Sequence, residues 1–208
     1  MSVLIADDHR LVRECLGILV AREGFQVVCE AANGREALAG AIRYHPDVAV
    51  LDLNMPLMDG VEVAQELERC APHTKAIALS RHDDGRFVLA AMRAGVKGYV
   101  LKSQPALELV DAITQVAAGA IYLSPGIAEV VVHAVCAGVS LPADPLSPRE
   151  RQMLKLIAEG CSTKECASIL EVSIKTADSH RTRLMRKLDI HATAGLVRYA
   201  FRHRLADA

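Results

Sequence analysis

Five short runs rich in apolar and β-branched residues, at positions 3–6, 27–30, 48–51, 76–79 and 98–101, alternate with stretches of helical periodicity. Leu11, Val12, Cys15, Leu16 and Leu19 recur at helical spacing, and Leu107, Val110 and Ile113 begin a similar stripe. Strands that alternate with helices are joined by crossovers rather than tight hairpins. The pattern therefore predicts an α/β fold, a five-stranded, doubly wound parallel (βα)5 sheet with right-handed connections and helices on both faces. The runs at 48–51 and 76–79 are nearly all apolar, as strands covered on both faces must be.

The alternation stops near residue 119. "GAIYLSPGIAEVVVHAV" offers a short helix after Pro125, and "AGVSLPADPL" reads as a linker. Helix-start signals then cluster. Ser147, Pro148 and Glu150 form a cap, a first-turn proline and an S-x-x-E box; Ser162 and Glu165 repeat the box after Gly160, and Ser173 caps a third helix. A small all-α domain thus follows the α/β one. A length of 208 residues suits two domains, and 51% hydrophobic residues supply cores without disulfide staples. Cys15, Cys29, Cys70, Cys136, Cys161 and Cys166 lie in apolar patterns without C-x-x-C pairs or zinc spacing. They are expected to be reduced and mostly in the core of a cytoplasmic protein. With no leader pattern and no apolar stretch of about 20 residues, no membrane partner is expected. The net charge of −1 conceals an asymmetry: residues 1–145 carry 12 Lys/Arg against 18 Asp/Glu, and residues 146–208 carry 12 against 7. A basic module behind an acidic one points to a polyanionic partner for the C-terminal part.

In an open parallel sheet, ligands bind beyond the carboxyl ends of the strands. Asp7 and Asp8 end the first strand, Asp52 the third, Ser80 the fourth and Lys102 the fifth. "AVLDLNMPLMDG" drives an apolar strand into Asp52 and then turns at once through Asn54, Pro56, Asp59 and Gly60. Crowded carboxylates repel one another, so a cation is the expected partner, and oxygen ligands with room for water suit Mg2+. A lysine and a hydroxyl opposite would neutralise a phosphoryl group. That set describes Asp52 as a nucleophile that becomes phosphorylated, with the metal and Lys102 stabilising developing charge. Singly, each residue has a plainer use as a cap, a solvated lysine or a backbone partner. Five such residues at the ends of four strands rarely coincide.

"ADDHRLVRECL", "PDVAVLDLNMPLMDGVEVAQEL", "ALSRHDD" and "AGVKGYVLKS" resemble the receiver domain of bacterial two-component response regulators, over residues 1–118. The resemblance implies that Asp52 is the phosphoacceptor and that Asp7, Asp8, Asp52 and the backbone carbonyl of Asn54 hold Mg2+. It implies that Ser80 and Lys102 bind phosphoryl oxygens, and that Tyr99 is the aromatic whose position follows Ser80. Arg81 departs from the pattern, which places a small or apolar residue after Ser80. A guanidinium there would either shield the phosphoryl group or pair with an acidic residue. Ser103 stands where proline is usual.

In the all-α part, "SIKTADSHRTRLMRKL" puts Ile174, Ala177, His180, Leu184 and Leu188 on one helical face. Lys175, Asp178, Ser179, Thr182 and Arg186 lie opposite, flanked by Arg181, Arg183 and Lys187. Short polar side chains can approach base edges while arginines and lysines hold phosphates, as a major-groove helix requires. An ordinary amphipathic surface helix meets the same description. The stretch from "LSPRERQMLKLIAEG" to "LMRKLDIHA" resembles the LuxR-type helix-turn-helix of NarL/FixJ-type response regulators, over residues 146–208, leaving 119–145 as linker. The resemblance implies a scaffold helix at 163–170, a recognition helix at about 174–188, and a last helix at 193–203 that supports dimerisation. It places Lys175, Thr176, Asp178, Ser179, Thr182 and Arg183 toward DNA; Lys187 is expected to join them on phosphate. Ala177 replaces the more usual valine.

Together these features imply a DNA-binding transcription regulator and not an enzyme. A sensor histidine kinase would phosphorylate Asp52, and an active homodimer would read an inverted repeat in double-stranded DNA. Two other readings stay open. A pseudo-receiver would act through protein contacts without phosphorylation. Aspartyl-phosphate phosphatases share the Asp nucleophile and Mg2+, but they need a second aspartate two residues on, where this chain has Asn54. Only slow self-dephosphorylation is expected.

Overall fold

The computed structural model describes residues 1–136 and 146–202; the linker stretch 137–145 and the end of the last expected helix at His203 lie outside the described residues. The chain divides into two units, residues 1–141 and 142–208, each with its own core.

In the first unit β1 (Ser2–Ala6), α1 (Arg10–Arg22), β2 (Gln26–Ala31), α2 (Gly34–Tyr44), β3 (Val48–Asp52), α3 (Gly60–Cys70), β4 (Lys75–Ser80), α4 (Gly85–Arg93), β5 (Gly98–Leu101) and α5 (Ala106–Ala117) alternate as expected. Two further elements follow, β6 (Tyr122–Leu123) and α6 (Ile127–Cys136). All pairings are parallel, in the order β2-β1-β3-β4-β5-β6. The sheet thus has six strands rather than five. A two-residue strand is too short to show any alternation, and β6 is recognisable only by its pairing of Tyr122 with Gly98 and Leu123 with Tyr99. Beyond it, α6 packs against α4 and buries Ile127 in the core of this unit.

Alternation along the strands splits this core in two. Leu4, Ala6, Ala49, Leu51, Ala76 and Ala78 face α2, α3 and α4, while Val3, Ile5, Val48, Val50, Ile77 and Leu79 face α1 and α5. Some helical stripes run differently from expectation. Leu11 and Cys15 on α1 and Leu107 on α5 are exposed, whereas Val20, Leu109, Ala112, Ile113 and Val116 turn inward. These residues sit at the margin of a stripe whose centre the sheet selects. The cysteines are not mostly core: only Cys166 is buried, and Cys15, Cys70 and Cys136 are exposed, the last two being final residues of their helices.

The second unit holds α7 (Pro148–Ala158), α8 (Thr163–Ile169), α9 (Ile174–Leu188) and α10 (Thr193–Arg202). Both S-x-x-E boxes form. Ser147 and Ser162 accept the Glu150 and Glu165 backbone N–H groups, and the two glutamates accept from the serine N–H groups in return. Ser173 caps α9 by accepting from the Thr176 N–H at 3.1 Å. Met153, Leu154, Ala167, Leu170, Ala177, Leu184, Leu196 and Ala200 close the core.

Candidate functional site

Asp52 ends β3, and the chain then folds back on the strand end. The Gly60 N–H donates to the Leu53 carbonyl at 3.2 Å, and a Cβ on Gly60 would collide with the carbonyl oxygen of Asp52. Asp59 caps α3 in a box with Glu62. The turn residues after Asp52 are therefore those that let a helix start in backbone contact with the strand end.

Asp7, Asp8, His9 and Asp52 each offer a ligand atom, all within 4.8 Å of one another. Asp7 is wholly buried and Asp52 nearly so. Lys102, the first residue beyond β5, places Nζ 2.8 Å from Asp7 Oδ2 and 2.9 Å from Asp52 Oδ2. Burial pushes the Asp52 carboxyl above its ordinary value, and Lys102 only partly opposes it. Burial also works against the charge on Lys102, but Asp52 and Asp7 more than offset it, and its ammonium titrates above its usual value. Lys102 is thus charged throughout the neutral range. Asp7 Oδ1 accepts the His9 N–H at 2.8 Å, and the Arg13 guanidinium donates to the Asp7 carbonyl at 2.6 Å. His9 Nδ1 lies 2.8 Å from Asp8 Oδ1. A donor set of three carboxylates and one exposed imidazole fits a hard divalent cation that keeps some of its waters.

Ser80 ends β4, buried; its Oγ accepts the His82 N–H at 3.0 Å and its carbonyl accepts the Lys102 N–H at 2.7 Å. The Tyr99 ring is buried and its hydroxyl donates to the His82 carbonyl at 2.8 Å; burial pushes the phenol up to about 12. The Asn54 N–H donates to Asp52 Oδ1 at 3.3 Å. His82 is a residue that sequence reasoning missed. It is buried, its ring stacks on Phe87 at 4.6 Å, and its Nε2 lies 3.4 Å from Asn54 Nδ2. The polar run "SRHDD" conceals that burial. Arg81 is exposed.

On α9, Lys175, Thr176, Asp178, Ser179, Thr182, Arg183 and Arg186 are exposed, while Ala177 and Leu184 are buried and His180 is half-buried. Ile174, expected on the apolar stripe, is 55% exposed, because the first residue of the helix overhangs the core. Two flanking cations are engaged inside the domain. Arg181 donates to the Thr163 hydroxyl at 3.0 Å and the Thr193 hydroxyl at 2.7 Å, at the starts of α8 and α10. Lys187 Nζ lies 2.6 Å from Glu150 Oε2, so the residue expected on phosphate ties α9 to the cap of α7.

Burial would raise the Glu150 carboxyl, but the bonds from Lys187 and Ser147 more than offset it and hold the group below its ordinary value. A depressed folded value means stability that is fully present above the unfolded value of 4.5 and lost as pH falls through the folded one. Lys187→Ala is expected to destabilise the second unit by about 1–3 kcal/mol near neutrality. That deficit should shrink on going from about pH 6 to about pH 3. Chemical denaturation of both chains across that range checks it; a pH-independent difference would show that the ion pair is not the cause.

Residues 3–114 match the family described as response regulator receiver domain, and residues 144–200 match bacterial regulatory proteins of the luxR family. The chain belongs to the LuxR-family response regulators. This response regulator is 36% identical over 216 residues to the oxygen regulatory protein NreC of Staphylococcus carnosus, with 100% of each chain covered. It is similar to the crystal structure of a LuxR-family two-component response regulator from Aurantimonas sp. SI85-9A1, at 34% identity and TM-score 0.62, covering 65% of this chain and 97% of that one. It also resembles RcsB from Salmonella enterica serovar Typhimurium, solved bound to promoter rprA in the presence of phosphomimetic BeF3-. That likeness has 26% identity and TM-score 0.61, covering 96% of this chain and 97% of RcsB. Among the described residues, no helix of this response regulator is long and apolar enough to cross a membrane.

Proposed function

We propose that Asp52 takes a phosphoryl group from the phosphohistidine of a sensor kinase, and that phosphorylated chains pair on an inverted repeat in double-stranded DNA. The observation that carries this reading is Lys102, shared at 2.8 and 2.9 Å between Asp7 and Asp52 beside a third carboxylate. A carboxylate oxygen of Asp52 attacks phosphorus; the new O–P bond forms as the N–P bond breaks and the imidazole leaves with the electron pair. Asp7, Asp8, Asp52 and the Asn54 carbonyl would hold Mg2+, which would supply positive charge to the phosphoryl oxygens. Lys102 exchanges Asp52 for a phosphoryl oxygen, and the Ser80 hydroxyl donates to another. The loop that Ser80 anchors through the His82 N–H moves with it, and Tyr99, bonded to the His82 carbonyl, follows. The amide of Asn54 cannot act as the general acid of a phosphatase, so the phosphoryl group persists long enough to signal. The chain accepts phosphate rather than turning over a substrate.

Incubation with Mg2+ and acetyl phosphate should add one phosphate by mass, and gel filtration should then show a dimer. A chain that stays unlabelled overturns the reading. Asp8→Ala should weaken Mg2+ binding at least about tenfold and slow labelling; unchanged metal affinity would place the ion elsewhere.

The exposed side of α9 should read DNA with two distinct signatures. Thr182→Ala or Asp178→Ala should alter base preference at particular positions, by about 1–3 kcal/mol for a good contact. Arg183→Ala should weaken all sequences alike and flatten the salt dependence by about one unit. Uniform weakening by the first two, with preference intact, would mean that another face of the helix meets the groove.

A further inference from the structure

The geometry points to Ser124 as a positioning residue that ties β5, and through it Tyr99 and Lys102, to the segment leading into the DNA-binding domain. This role presupposes phosphorylation at Asp52. Ser124 directly follows β6 and is fully buried. Its N–H donates to the Tyr99 carbonyl at 2.9 Å, and its Oγ accepts the Leu101 N–H at 3.1 Å. Its hydroxyl donates to the carboxylate of Glu108, in the first turn of α5, and the Tyr122 hydroxyl bonds to the same carboxylate.

A buried hydroxyl must be hydrogen-bonded, and this one directs both its donor and its acceptor capacity at neighbours outside its own strand. One residue therefore grips β5 at two alternate positions, Tyr99 and Leu101. Leu101 immediately precedes Lys102, whose N–H is bonded to the Ser80 carbonyl on the other side. On its far side Ser124 starts the next element: its carbonyl accepts the Ile127 N–H at 3.0 Å, and Ile127 lies in the same apolar cluster as Tyr99. From α6 the chain continues toward the cap of α7. A displacement of β5 that accompanies phosphorylation cannot leave Ser124 in place without breaking these bonds. The movement passes instead to β6 and α6. A polar brace of this kind is a discrete physical link between β5 and the segment that begins α6, which sequence proximity alone would not provide.

Coupling is reciprocal: the factor by which a phosphoryl mimic tightens DNA binding equals the factor by which DNA tightens binding of the mimic. The full chain is titrated with beryllium fluoride in the presence and absence of a duplex that the wild-type chain has selected from a randomised pool, and with that duplex in the presence and absence of beryllium fluoride. Wild type should show one common factor, between about 5 and 150. In Ser124→Ala both factors should collapse to within about twofold of one, although each ligand still binds. Glu108→Ala removes the same acceptor from a half-buried position and should do likewise, keeping the test open if Ser124→Ala does not fold. Glu108→Gln keeps an acceptor oxygen and should restore the coupling. A merely structural role for Ser124 would lower thermal stability and leave the factor intact. An intact factor in both Ser124→Ala and Glu108→Ala overturns the role of Ser124 alone; a wild-type factor of one overturns the phosphorylation reading and this role with it.

Discussion

Asp52→Asn is expected to take up no phosphate, from a kinase or from acetyl phosphate, while the chain stays folded. The amide has nearly the same volume but no anionic oxygen to attack phosphorus. The fold should tolerate the change because Asp52 is buried and its carboxyl is raised. An acid whose folded value lies above its unfolded one detracts from stability once pH exceeds the unfolded value, and the amide removes that cost. Lys102 keeps its bond to Asp7 at 2.8 Å. The Asp52→Asn chain should therefore melt no lower than wild type at neutral pH, and its DNA affinity should not respond to acetyl phosphate. Equal labelling of the two chains, measured by mass, would remove Asp52 from its role.

Leu184→Asp should abolish DNA binding altogether while phosphorylation of the first unit continues. Leu184 is fully buried among Met153, Leu154, Ala177 and Leu196. Truncation alone, as in Leu184→Ala, costs about 2–5 kcal/mol. A carboxylate there adds an unpaired charge with no water to solvate it. A small helical domain has only about 5 kcal/mol of stability to lose, so the aspartate variant should unfold it. The first unit has its own two-sided core and should remain intact. Limited proteolysis should then digest the C-terminal unit and spare the receiver. Wild-type DNA affinity in Leu184→Asp would mean that this face of α9 is not core.

Much of both domains was legible because the signals are local. Strands covered on both faces must be apolar, their ends are marked by Asp7, Asp52, Ser80 and Lys102, and the caps of α7, α8 and α9 are written in three- and four-residue motifs. What stayed hidden depends on neighbours distant in sequence. A helical projection puts Arg181, Arg183 and Lys187 together on the flanks, but only the packing of α7, α8 and α10 decides which of them meets Glu150 or the two threonines and which stays free of the core. His82 looks like part of a polar loop until Phe87 and Tyr99 close around it. β6 has no periodicity of its own, and Ser124 gains its meaning only from the edge of β5.

Lys102 already holds two carboxylates in the resting chain, at 2.8 and 2.9 Å. In the proposed reaction a phosphoryl group would therefore offer it a substitute anion rather than rescue a bare ion. One salt link would be exchanged for another, and the difference between them would contribute to the change. Every ~1.4 kcal/mol of that difference would be a tenfold shift in population. Such a site works as a balance more than as a latch. Whatever else favoured the activated arrangement, a second chain or a stretch of DNA, would weigh on the same beam, and losing it would let the lysine return to its first partner.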